Sequence, residues 1–255
     1  MAVPPIVDLQ DVTKRFGDGP LVLDRVRLAA APGDFVSLIG PSGCGKSTLL
    51  RLIAGLSPVT GGTLRVDGRT PDQAAAELAF VFQEPTLLPW LTVSRNVELA
   101  LKLRGVPADA RTATRRQVLD LVRLGDRADA YPRQLSGGQK MRVSIARALS
   151  LSPKILLLDE PFGALDEMTR ERMNNELLRI WTTIPGMTVI FVTHNISEAV
   201  YLSTRVVVMS PRPGRVSELI DVDLPQPRGP ETLELEPFFH AASKVRRALH
   251  EGVAG

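Results

Sequence analysis

The chain of 255 residues holds one cysteine, Cys44. No disulfide can form within it, which suits a reducing cytoplasm. Aromatic residues are scarce, at 5% with two tryptophans, and they do not alternate with basic residues as on nucleic-acid-binding surfaces. No window approaches 18 consecutive apolar residues, so no membrane-spanning helix is expected. The opening MAVPPIVDLQ lacks a basic region and an apolar run, which points away from secretion. Neither sign of charge is concentrated. Lys and Arg number 31 against 28 Asp and Glu, a net charge of +3 that describes a solvated surface and argues against a nucleic-acid partner. There are no internal repeats.

What is present is enough core for one large domain, or a domain with a subdomain, since 44% of residues are hydrophobic. Residues 6–16 and 21–30 alternate apolar and polar side chains and read as half-buried strands around the turn GDGP. Residues 33–40, 63–68, 77–83, 154–160, 187–194 and 205–210 read as further strands, most of them continuous apolar runs. Lys46 to Gly55 reads as a helix, and 167–184 as another, with Met173, Leu177, Ile180, Trp181 and Ile184 at helical spacing. That spacing makes Trp181 a core residue. From Leu91 helix formers take over, with Val118, Leu121, Val122 and Leu124 as an apolar stripe, and the helical stretch runs on past Gly138. Residues 211–232 are proline-rich and irregular. A terminal amphipathic helix follows, with Leu235, Phe238, Phe239, Ala242, Val245 and Leu249 on one face. Strand and helix alternate, which predicts an α/β domain with a mainly parallel sheet.

The strand ends carry the chemistry. GPSGCGKST at 40–48 fits G-x-x-x-x-G-K-[ST], and a chance match in a chain of this length is on the order of 1%, so the motif is taken at face value. Its glycines let backbone N–H groups converge on phosphate, and the helix after it adds a positive dipole end. Lys46 would reach the β- and γ-phosphates and Ser47 would ligate Mg²⁺. Cys44, between Gly43 and Gly45, is read as a small residue in a tight turn rather than a nucleophile. The run ILLLDE ends in Asp159, suited to Mg²⁺, and Glu160, suited to polarising an attacking water. The run TVIFVTH ends in His194, and LAFVF leads to Gln83, whose amide could touch both Mg²⁺ and that water. On a parallel sheet all four ends face one crevice. A second anion seat, LSGGQ at 135–139, is a glycine pair opening a helix, and one small chain has no evident use for two.

Read together, GPSGCGKST, Gln83, LSGGQ, LLLDEP, ALD and VTH resemble the nucleotide-binding subunit of an ABC transporter, over residues 6–210. The resemblance implies a P-loop NTPase (RecA-like) core at about 6–90 and 153–222, with a mainly parallel sheet and an antiparallel β edge region. It also implies an inserted α-helical subdomain at about 91–152 carrying LSGGQ, and a short C-terminal tail at 223–255, all within a single domain, 1–255. It answers the question of the second seat. Two subunits meet head to tail, so that Ser136, Gly137, Gly138 and Gln139 grip the ATP bound to the other subunit's loop, Gly40, Pro41, Ser42, Gly43, Cys44, Gly45, Lys46, Ser47 and Thr48. Phe16 would stack on adenine, where many members have tyrosine. Thr48 would contact the α-phosphate, and Asp166 would cross the dimer interface. Catalysis would rest on Glu160, His194 and Gln83, and Mg²⁺ on Ser47, Gln83 and Asp159. Asn195 departs from the aspartate more often found after the switch histidine.

The stretches 84–97, 159–170 and 197–216 are most similar to importer ATPases for nitrate, sulfonates and taurine. Implied partners are a second copy, membrane permease subunits docking near Pro89-Trp90-Leu91 and, indirectly, a solute-binding protein. The implied place is the cytoplasmic side of the cell membrane. Three alternatives stand beside this one: a soluble ABC ATPase acting in DNA repair or on ribosomes, a P-loop module without hydrolysis, and, as the nearer rival, an exporter ATPase, whose fused forms carry membrane helices that this sequence lacks. The single cassette and short helical arm speak against the first, and Glu160 against the second.

Overall fold

The computed structural model describes residues 3–254. Strand β1 (Val7–Arg15) pairs antiparallel with β2 (Leu21–Ala30) on one side and β4 (Gly61–Val66) on the other. A second sheet orders its strands β5 (Leu78–Val81), β6 (Ile155–Asp159), β7 (Thr188–Val192), β3 (Phe35–Ile39), β8 (Arg205–Met209) and β9 (Val216–Asp221). All neighbours in it are parallel except β8 and β9.

The continuous apolar runs follow from burial on both faces. In β3, Phe35 and Ile39 face one core while Val36 and Leu38 face the other. The same alternation holds for Leu156 and Leu158 against Ile155 and Leu157 in β6, and for Val189 and Phe191 against Ile190 and Val192 in β7. One core is closed by helix α1 (Lys46–Ile53) and the three-stranded sheet. The other is closed by α3 (Val93–Leu103), α4 (Ala108–Leu121), α5 (Gly137–Leu149) and α6 (Glu167–Thr183). A short helix, α2 (Pro71–Ala74), sits beside β4. Trp181 packs edge-on against Phe35 and donates its indole N–H to Met187 O at 3.0 Å, a core role.

Three details differ from the sequence expectation. Residues 211–232 are not all irregular: β9 lies within them, an edge strand in which Ile220 is buried while Ser217, Glu218 and Leu219 are exposed. A helix, α7 (Ile196–Leu202), follows His194 and is capped by Asn195, whose Oδ1 accepts from Glu198 N at 3.1 Å. The terminal helix, α8 (Glu236–Ala254), buries Phe238, Ala242, Val245 and Ala248 in the same core as the parallel sheet. Phe239 and Leu235 are exposed, because Phe239 is turned about 100° from Phe238 and Leu235 precedes the helix. The tail is thus packed into the main body. No helix among the described residues is long and apolar enough to cross a membrane.

Candidate active site

Strands β5, β6, β7 and β3 are consecutive neighbours, so their C-terminal ends bring Gln83, Asp159 and Glu160, His194 and the 40–48 loop to one edge of the sheet. Two glycines in the loop are dictated by crowding. A Cβ on Gly40 would lie 2.7 Å from Met209 O and 3.1 Å from Cys44 Sγ. Gly45 has a φ of +108°, and a Cβ there would meet Leu23 Cδ2 at 2.6 Å. The buried Lys46 curls over the loop, its Nζ donating to Gly40 O at 2.8 Å and Pro41 O at 3.1 Å. Cys44 lies beneath the loop, buried, and burial pushes its thiol pKa up. It is a packing group, as its place between two glycines suggests.

Ser47 Oγ donates to Asp159 Oδ1 at 2.7 Å. Burial raises the Asp159 carboxyl above its ordinary range, against the pull of the Ser47 hydrogen bond. Next to it, Glu160 has a φ of +44°, a left-handed conformation costing roughly 1–2 kcal/mol for a residue with a side chain. Its N–H donates to Val192 O at 3.1 Å and its carbonyl accepts from Gly163 N at 3.2 Å, which hold that turn. The carboxylate is thereby brought within 3.2 Å of His194 Nδ1. The His194 turn is itself braced from below. The Thr193 hydroxyl donates to the buried Glu198 and accepts from Asn195 N at 3.0 Å.

Ser42, Gly43 and residues 45–48 line a cleft of about 400 Å³ with Phe16, Val22, Glu160 and Arg212. Phe16 is 55% exposed, and Lys14 Nζ stands 4.7 Å from its ring centroid. A larger cavity, about 720 Å³, lies by Lys154 and Met187 at the opposite ends of β6 and β7 and holds none of these groups. Gln83 is exposed two residues beyond β5 and does not line the cleft.

The second anion seat is elsewhere. Ser136 caps α5: its Oγ accepts from Gln139 N at 3.3 Å, and Gln139 Oε1 accepts from Ser136 N at 2.9 Å. None of residues 136–139 lines the cleft. Asp166 caps the neighbouring α6, accepting from Thr169 N at 3.0 Å; hydrogen bonding from the Thr169 side chain, and then from this N–H, holds its pKa low.

Sequence reasoning missed Arg212, Arg147 and Asn96. Arg147, near the end of α5, donates to Thr86 O, Pro85 O and Thr86 Oγ1, each at 3.0 Å, and so pins the segment after Gln83. Buried Asn96 Nδ2 donates to Leu88 O, Leu91 O and Thr92 O at 3.0–3.1 Å, while its Oδ1 accepts from Leu88 N at 2.8 Å. It shapes the bend from which Trp90 projects, 68% exposed. No local motif marks these three; only the folded chain shows what they hold.

The model of the ABC transporter family matches residues 23–163. The Taurine import ATP-binding protein TauB of Rhizobium johnstonii is 49% identical over 242 residues, covering 92% of both chains. The Nitrate import ATP-binding protein NrtD of Synechocystis is 46% identical, covering 86% of this chain and 82% of its own. Among solved structures, the ATP-binding cassette MJ0796, a dimer in a post-hydrolysis state with ADP and Pi, superposes with a TM-score of 0.74 at 35% identity, covering 85% of this chain and 99% of its own. The family model, the relatives and the solved cassette agree, and the chain belongs to the ABC transporter family as an ATPase cassette.

Proposed function

We propose that this cassette powers an importer for a small anionic or sulfur-containing solute of the nitrate, sulfonate and taurine type. It works as a head-to-tail pair in which each ATP is held by the 40–48 loop of one copy and by Ser136, Gly137, Gly138 and Gln139 of the other. The separation of residues 136–139 from their own cleft carries this reading. A capped helix start that binds anions but lies outside its own cleft is placed to serve a neighbour's nucleotide.

Within the pair, Lys46 and the loop N–H groups hold the phosphates, Thr48 contacts the α-phosphate, and Phe16 offers its ring to adenine. Glu160 takes the proton of the water that attacks the γ-phosphate, and His194 holds that carboxylate in place. The oxygens of Ser47 and Asp159, 2.7 Å apart, are the hard donors that Mg²⁺ prefers, with Gln83 a third from the next strand end. When bound, the ion neutralises phosphate charge. Asp166 at the head of α6 crosses to the partner. Hydrolysis needs the closed pair, and phosphate release lets it open.

Trp90, beside Pro89 and Leu91, is the surface on which a permease subunit docks; exposed tryptophan suits such a contact. The chain then sits peripherally on the cytoplasmic side of the membrane, and a solute-binding protein delivers the solute to the permease. The test is to tag the protein, solubilise host membranes in mild detergent and identify what co-purifies. A multi-helix permease supports transport. Recovery with DNA or ribosomes in the soluble fraction overturns it and leaves the ATPase chemistry standing.

A further inference from the structure

We propose that Arg212 is a nucleotide-binding residue at the adenosine end of the cleft, supplying guanidinium donors to the base and ribose; this rests on the nucleotide site described above. The loop that carries it, between β8 and β9, is fastened to the site at several points. Gly214 N–H donates to Val22 O at 2.9 Å and its carbonyl accepts from Asp24 N at 3.0 Å. A Cβ on Gly214 would lie 2.0 Å from Cys44 O, so the loop rests directly on the phosphate loop. Arg215 Nε donates to Asp24 Oδ2 at 2.8 Å and closes the far side. Pro211 and Pro213 flank Arg212, and each fixes its own φ, which stiffens the backbone on either side of it.

Arg212 and Lys46 are the two cationic side chains lining the cleft. Lys46 is turned onto the loop carbonyls. Arg212 uses one donor: its Nε reaches Leu21 O at 3.3 Å. Its terminal amino groups have no hydrogen-bond or ion-pair partner among the described residues. Leu21 adjoins Val22, which lines the cleft with Phe16, so the guanidinium is anchored beside the aromatic end rather than beside Ser47 and Asp159. A guanidinium has donors only, and its flat face stacks on planar groups. The ring nitrogens of adenine and the ribose oxygens are acceptors, and the base is planar. A neighbouring aromatic ring and an uncommitted guanidinium together fit a purine nucleoside.

The test is equilibrium binding of ATP, ADP and inorganic tripolyphosphate to the full chain, comparing wild type with Arg212→Ala, Arg212→Met and Lys46→Ala. Both Arg212 variants should bind ATP and ADP about tenfold more weakly, the loss of one charge-assisted contact. Tripolyphosphate binding should not change, because it has no nucleoside. Thermal unfolding should not change either, since Arg212 is exposed. Equal loss for tripolyphosphate would place Arg212 on the phosphates and overturn the assignment, as would unchanged ATP and ADP binding. Lys46→Ala separates the two levels. It should weaken all three ligands, and if it weakens none, the underlying nucleotide site is wrong rather than the role of Arg212.

Discussion

Glu198 is buried under the turn that carries His194, and replacing it with glutamine tests how that turn is held. In the wild type one carboxylate oxygen accepts from the Thr193 hydroxyl, while Oε1 has no partner. The buried Asn174 Oδ1 also lacks one. Burial raises the Glu198 carboxyl above its ordinary 4.5, outweighing the Thr193 hydrogen bond, the charge of Arg170, the Asn174 amide and the charge of His194. Glutamine keeps an oxygen for Thr193 and, once the Asn174 amide that faces Glu198 turns over, adds an N–H for Asn174 Oδ1. An unsatisfied buried acceptor costs about 1–3 kcal/mol, and allowing for imperfect geometry a gain of about 1 kcal/mol is expected near pH 8. For a chain of this size that is roughly 2–4 °C in Tm.

The sign with pH follows from linkage. A carboxyl whose folded pKa is raised favours the folded state fully below its unfolded pKa, and that contribution is lost as pH rises through the folded value. Wild type should therefore lose ground to Glu198→Gln as pH rises from about 5 to about 8, with the widest gap at the upper end. Thermal melts across that range make the measurement, and ATPase turnover should stay within about twofold because the His194 turn keeps its bonds. A gap that does not vary with pH, or a variant less stable than wild type near pH 8, refutes the account of a buried, reluctantly charged carboxyl.

Three further outcomes are expected. Glu160→Gln should bind ATP, lose about 10²–10⁴-fold in turnover and accumulate as an ATP-bound dimer; a monomer by sedimentation in saturating ATP and Mg²⁺ counts against the paired site. Ser136→Arg should abolish turnover yet leave monomer ATP affinity nearly unchanged, since Ser136 is outside its own cleft; a large loss of affinity in a binding titration would mean that residues 136–139 act in cis. Gly40→Ala forces a methyl to 2.7 Å from Met209 O, and calorimetry should find about 1–3 kcal/mol of lost stability with weaker ATP binding.

The strand ends were legible because their physics is local. A strand buried on both faces is an unbroken apolar run, so the first polar residue after it marks the sheet edge where chemistry gathers, as with Asp159 after Ile155–Leu158 and the Thr193-His194 pair after β7. The Arg212 loop was hidden because its importance depends on β9. That strand buries Ile220 but exposes Ser217, Glu218 and Leu219, and prolines on both sides disguise it as irregular chain. Glu198 was hidden because α7 spans seven residues, too few for a helical period to emerge, and an acid there reads as surface. On α8 the expected face holds at Phe238, Ala242 and Val245, with Leu249 packed at its border, and fails at Leu235 and Phe239. Phe238 and Phe239 are adjacent and cannot share a helical face, and a small residue outside the expected set, Ala248, takes up contact instead.

The need for two anion seats has a basis in the packing of α5 on α6. At any helix start the first N–H groups lack intrahelical partners, and at Gly137 and Gly138 no side chain shields them. A Cβ on Gly138 would lie 3.0 Å from Thr169 Cγ2, and one on Gly137 would lie 3.3 Å from Leu165 Cδ2. The glycine pair is therefore pressed onto the start of α6, whose cap is Asp166. Asp166 is six residues from Glu160, along a turn closed by the bond from Gly163 N to Glu160 O. The glycine pair proposed to meet a partner's nucleotide and the Glu160 carboxylate in the chain's own cleft thus adjoin one short, braced segment. A partner's phosphate pulling on Gly137 and Gly138 would load the same segment that sets Glu160 against His194. On the proposed pairing, two seats in one protomer are not redundant: the outward seat packs on the segment that leads back to Glu160, and one closure would complete both sites.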